Sequence, residues 1–174
     1  MAGRALRGAV FGLMLVLGAC SSSNSGAAMT AGAESPQTGL ERVPLTITMG
    51  QNVHRFTVDV AASSEQQEYG LMFRDHLAAD AGMIFPFDQA KIASFWMKNT
   101  LIPLDMLFVK ADGTIDRIAE NTIPQSLEPV ASGGEVIAVL ELAGGTAARL
   151  GINESAVVRW QGPRANGMPE LHKL

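Results

Sequence analysis

The residues of this 174-residue chain with chemistry to offer are few: Cys20, its one cysteine, and a polar and aromatic group between Arg74 and Glu141. Asp105 begins an apolar run and lines up with Leu107 and Val109, whereas Glu141 ends another and lines up with Val139 and Ile137. An ionised carboxylate on such a face is costly unless it is paired and hydrogen-bonded. Arg74, Lys98 and Arg149 are the cations available to these acids. If Asp105 and Glu141 meet in one cleft, mutual repulsion raises one pKa and supplies an acid/base pair. Structural salt bridges explain the same residues equally well. Ser94–Lys98, read as extended, alternates across a strand. Phe95 and Met97 then fall on one face, and Ser94, Trp96 and Lys98 on the other. An indole beside a lysine, leading into Asn99 and Thr100, makes a flat apolar floor for a polar ligand. The alternative packs Trp96 into a second core and pairs Lys98 with a carboxylate. The candidate contact surface is therefore Arg74, Trp96, Lys98 and Asn99, with Asp105 and Glu141 as candidate catalytic acids.

Other chemistries find little support. A single cysteine excludes an intramolecular disulfide and any cysteine-built metal site. His54 lies on an apolar strand face, His76 in a polar loop and His172 in the tail, so no pair stands at zinc-ligand spacing. Met72, Met83, Met97 and Met106 could offer thioethers to Cu(I), but no M-x-x-M spacing joins them, and methionine serves more often as adaptable core filling. No cofactor or metal is expected. No glycine-rich phosphate loop follows a strand, and neither G-x-S-x-G nor H-E-x-x-H occurs. A net charge of −4 and a pI near 5.3 argue against nucleic acid as a partner.

The amino terminus reads as an address. Arg4 and Arg7 supply a positive start, no acid precedes Glu34, and Ala9–Ala19 is apolar but too short to span a bilayer. The stretch ends in Leu17-Gly18-Ala19-Cys20, which resembles the bacterial lipoprotein signal, whose cysteine is lipidated and becomes the first residue. By the same resemblance, Ser21 after the cysteine favours transfer to the outer membrane. Ser21–Arg42 is rich in Ser, Gly and Ala and has almost nothing to bury, as expected of a tether. The expected organisation is a signal peptide over 1–19, a lipidated cysteine and tether over 20–42, a β domain over 43–162 and a frayed tail over 163–174. The expected location is the envelope, lipid-anchored in the outer membrane and facing the periplasm.

The elements that must hold the candidate residues are mostly strands. Leu45–Met49, a Gly50-Gln51-Asn52 turn and Val53–Val60 form a hairpin pattern, with His54, Phe56, Val58 and Val60 on one face. Ser64-Glu65-Gln66-Gln67 has capping-box spacing and opens a helix running to about Phe73. Met83–Phe87 and Ser94–Lys98 suit short strands, with Pro86 marking an edge or bulge. Asp105–Lys110 and Thr114–Glu120 make a second hairpin around Ala111-Asp112-Gly113. Glu135–Leu142 suits a buried strand, Gly144–Leu150 a short helix stopped by Gly151, and Ser155–Trp160 a closing strand. The fold class is mainly β: a compact single-domain β-barrel or jelly-roll-like sandwich with two short helices.

From Glu68 to Ile152 the chain reads EYGLMFR, GMIFPF, FWMKNTLIPLDMLFV, GTIDRI and AVLELAGGTAARLGI. This resembles the domain of unknown function 192 family (uncharacterised protein family 0127). The resemblance implies a small β-barrel or jelly-roll-like fold, often exported or membrane-tethered, and carries no established activity. Two departures occur: Glu154-Ser155 stands where the family commonly has Gly-Asp, and Gly133-Gly134 where a proline-containing turn is usual. The leading expectation is a lipid-anchored, non-enzymatic accessory domain that binds a small molecule, a glycan or an envelope protein. A hydrolase or lyase using Asp105 and Glu141 is the first alternative, and a purely structural domain the second.

Overall fold

The computed structural model describes residues 37–162. The lipidation candidate Cys20, the signal segment and the tail after Gly162 lie outside the described residues. Alternating residues make β1 (Arg42–Met49) and β2 (Asn52–Val60), paired antiparallel around the tight turn at Gly50-Gln51. On β2, Phe56, Val58 and Val60 are buried, and the partly buried His54 shares their side. The first helix, α1 (Ser64–Tyr69), is capped one residue earlier than expected: Ser63 accepts from the Gln66 N–H, and the Gln66 side chain answers at the Ser63 N–H. It also stops earlier, because Gly70 turns the chain out of the helix.

The two short strands expected over 83–98 are one long strand, β3 (Ala81–Phe95), which ends before Trp96. It pairs with β2 in parallel over Thr57–Val60, a crossover reached through α1. The second expected hairpin is β4 (Leu104–Val109) and β5 (Ile115–Ala119). The buried run lies in a longer strand, β6 (Val130–Ala143). Then α2 (Thr146–Leu150) ends at Gly151 in the left-handed conformation, φ 68°, and β7 (Val157–Trp160) is the last strand of the described residues.

Among the described residues, seven strands form one sheet in the order β5-β4-β6-β3-β2-β1-β7. The sheet curls into a half-barrel whose two ends touch: Thr114 bridges to Val157, and the Val158 N–H donates to the Gly113 carbonyl at 2.8 Å. The mainly β class with two short helices therefore holds.

Apolar residues fill both faces of the central strands. One core gathers Leu45, Ile47, Val58, Leu107, Leu140 and Val158, with Ala147 of α2 against it. The other gathers Met83, Phe85, Met106, Phe108 and Val139, covered by Leu71, Met97 and Leu104 from or beside the loops. Double-sided burial explains why MIFPF and VIAVLEL are nearly continuous apolar runs rather than clean alternations.

Candidate functional site

A pocket of about 310 Å³ opens on the second core face. Its walls come from three places, with one further residue from β6. The end of α1 and the following Gly70–Met72 form one side, the outer half of β3 forms another, and Trp96, Lys98 and Thr100 form the third. Glu141 of β6 also lines it. Local sequence fixes each wall. Gln67 donates to the carbonyls of Ala61 at 3.1 Å and Pro86 at 2.8 Å, tying α1 to β3. The β3–β6 register jumps from Pro86↔Ala138 to Lys91↔Val136, so β3 bulges outward over Phe87–Ala90. Phe85 and Phe95 pack edge to face at 5.1 Å between centroids, and the Lys91 ammonium sits 4.0 Å from the Phe87 ring centroid.

Glu141 is the unusual member. It is 4% exposed, and across the sheet it pairs with Met83 on β3 and Met106 on β4. No hydrogen bond or ion pair reaches its carboxyl from the described residues. Burial pushes its pKa from the ordinary 4.5 up to about 8. At neutral pH it is therefore a neutral acid with one O–H to donate.

Trp96 and Lys98 stand at the rim. Trp96 is 45% exposed, and the Lys98 ammonium lies 4.9 Å from its ring centroid. Lys98 makes no ion pair among the described residues. Only Ser94 and Phe95 of this segment lie in β3; the strand ends before Trp96, and Lys98 begins a turn. Met97 is buried because this loop turns inward, where the Met97 N–H donates to Ser126 and the Thr122 hydroxyl donates to the Met97 sulfur.

The remaining candidates lie elsewhere. Arg74 bonds Asp59 at 2.7 Å, and Arg42 holds the other Asp59 oxygen at 2.9 Å. These groups line a separate cavity of about 320 Å³ beside the 76–82 segment. Asn99 supports the pocket from behind: its amide contacts the Met72 sulfur at 3.7 Å, and its carbonyl accepts from Phe73. Asp105 pairs in register with Leu142, so it points to the face opposite Glu141. There it accepts backbone N–H bonds from Asn121 at 2.8 Å, Gly145 at 3.0 Å and Ala147 at 2.7 Å. The two acids do not share a cleft; Asp105 caps α2 and pins the 121 loop. Arg149 turns to Thr146 instead of to either acid.

Sequence reasoning missed Tyr69, Phe85, Phe87 and Lys91 as pocket residues. The run GMIFPF and the dipeptide Tyr69-Gly70 carried the available signal, an aromatic cluster beside a helix-ending glycine. Among the described residues, no group of three or more His, Cys, Asp or Glu is placed to hold a metal ion.

No curated protein matches this chain. A crystal structure from Sinorhizobium meliloti 1021, described provisionally as a transcription regulator, is 38% identical with a TM-score of 0.68, covering 70% of this chain and 95% of that one. A protein of unknown function from Novosphingobium aromaticivorans DSM 12444 is 44% identical with a TM-score of 0.69, covering 72% of this chain and 89% of that one. The family model DUF192, described as Uncharacterized ACR, COG1430, matches residues 45–160. With both the sequence match and the shared fold extending over nearly all of the folded region, the chain belongs to the domain of unknown function 192 family.

Proposed function

We propose that this protein is a lipid-anchored envelope protein whose β domain binds a small amphiphilic molecule without transforming it. The observation that carries the binding reading is Glu141: an unpartnered, buried acid in the wall of an aromatic-lined pocket. The carboxyl faces the pocket with no protein partner among the described residues, and a ligand that accepts its proton in a hydrogen bond supplies one. The pocket's volume falls at the lower end of the range of small-molecule sites. Phe85, Phe87 and Trp96 suit a ring or short apolar body, and Lys91 and Lys98 suit an anionic or strongly polar head. A non-catalytic role fits the separation of Asp105 from Glu141 and the use of the Asp105 carboxylate as a helix cap.

The anchor rests on Cys20 and its preceding Leu-Gly-Ala, and periplasmic exposure at the outer membrane rests on Ser21. The regulator description of the Sinorhizobium structure finds no support in this chain's charge of −4.

An anilinonaphthalene sulfonate, an aromatic body with an anionic head, probes the site. Titration should give saturable binding, with energy transfer from Trp96. Ser94→Trp should block the pocket, and Lys98→Ala should weaken binding roughly tenfold, by about 1.4 kcal/mol. Unchanged binding in both variants would rule this site out. The anchor is tested separately by Cys20→Ala, which should leave the membrane fraction on carbonate washing.

A further inference from the structure

Among the described residues, the non-glycine positions with positive φ are Phe73 (63°), Asn99 (55°), Asn121 (48°) and Gln125 (60°). All fall in three loops, 70–75, 96–103 and 120–129. Hydrogen bonds join these loops: the Phe73 N–H donates to Asn99 at 2.8 Å, Gln125 to Thr100 at 3.0 Å, and Met97 to Ser126 at 2.9 Å. The same loops carry Phe73, Trp96, Leu101, Ile123 and Leu127, all exposed, Phe73 by 58% and Ile123 by 74%. A bulky aromatic at positive φ is costly and persists only where surrounding contacts hold it, as the Phe73–Asn99 bond does here. A gathering of large exposed apolar side chains marks an interaction surface.

The chain reaches the domain beside these loops. Gln37, the first described residue, donates from its side chain to the Gly70 carbonyl, and its side-chain oxygen accepts from Arg74 at 3.3 Å. Both partners are close neighbours of Phe73 in the chain. The segment from Cys20 to Gln37 can reach at most roughly 60 Å even when fully extended.

We propose that these three loops are a bilayer-docking face. Phe73, Trp96, Leu101, Ile123 and Leu127 enter the boundary between headgroups and acyl chains, and Lys98 reaches the lipid phosphates. The occupant is a phospholipid surface because Gln37, the first described residue, is bonded beside this face and the anchor candidate Cys20 precedes it by seventeen residues, and because an exposed indole under a lysine suits the membrane interface. The proposal rests on the anchored reading above and adds the orientation of the domain.

The test uses the full acylated chain in liposomes of phospholipids brominated on their acyl chains, against unbrominated liposomes. Trp96 emission is obtained by subtracting the Trp96→Phe variant, which leaves the buried Trp160 common to both. Trp96 should lose about half its emission or more in brominated lipid, and a Phe73→Ser, Ile123→Ser, Leu127→Ser variant should lose much less. Trp96 untouched by brominated lipid and open to aqueous iodide would overturn the proposal, as would equal quenching in the triple variant. The mass of the N-terminal peptide from the same preparation separates the two readings. If Cys20 is unmodified, the anchor reading fails alone, and quenching of the chain mixed with the same vesicles decides the docking face.

Discussion

Glu141 and Asp105 show how one β pairing sends two acids to different fates. Asp105 looks into the first core and finds three backbone N–H donors waiting at 2.7–3.0 Å. Glu141 looks into the second face and finds thioethers, rings and the pocket. Asp105→Ala should cost roughly 3 kcal/mol or more, since three donors lose their acceptor at once. Asp105→Asn should recover part of that loss, and urea unfolding of the two variants measures the difference. For Glu141 the prediction is a pH dependence. Its folded pKa of about 8 lies above the ordinary 4.5, so between these values the folded chain holds a proton that the unfolded chain has lost. Stability is therefore fully present below about pH 4.5 and falls as pH rises toward 8, by about 1.4 kcal/mol per unit at most. Glu141→Gln, which cannot ionise, should flatten this slope; denaturation midpoints across the window check it. An equal slope in the variant would show that Glu141 is not the titrating group.

At the scale of elements, the pocket exists because β3 and β6 pair closely over Gly82–Pro86, lose register at a bulge and pair again from Lys91 to Phe95. At the close end, a Cβ on Gly82 would lie 2.6 Å from the Glu141 carbonyl oxygen and 2.8 Å from a Leu142 methyl. Gly82→Ala should therefore destabilise by about 2 kcal/mol through overpacking, read as a lowered thermal midpoint. Between the two paired stretches the bulge over Phe87–Ala90 shifts the register and sets Lys91 and Ile92 in the pocket wall. The two hairpins, α2 and its Gly151 cap were legible in the sequence because their signals are local: alternation, a turn glycine, a helix stop. Trp96 and Lys98 are exposed, as the alternation with Phe95 and Met97 suggests, but β3 ends at Phe95 and the loop after it sets their direction. Pro86 marked an edge or bulge, and the register does break after it, but the extent of the bulge and the first part of β6 were not legible. Asp88-Gln89-Ala90 and Ser132-Gly133-Gly134 have no strand pattern, and their place in the sheet comes from partners far along the chain, such as Asp116 accepting from Gly133 and Gly134. The parallel β2–β3 pairing and the opposite faces of Asp105 and Glu141 are likewise set by register, which no single segment encodes.

For the whole molecule, the curled sheet separates two tasks. The inner core, closed where Thr114 meets Val157, gives the fold its stability, while the outer face carries the pocket. The Asp59 cluster with Arg42 and Arg74 fastens β1, β2 and the loop after α1 beside the second cavity. The central claim is that the pocket over Glu141 holds a small amphiphile. It is tested most directly by native mass spectrometry of the protein purified from its own envelope in mild detergent. A discrete small-molecule adduct is expected on the wild-type chain, absent from Ser94→Trp and reduced in Glu141→Ala. A wild-type chain carrying no adduct, or the same adduct on all three proteins, would contradict it.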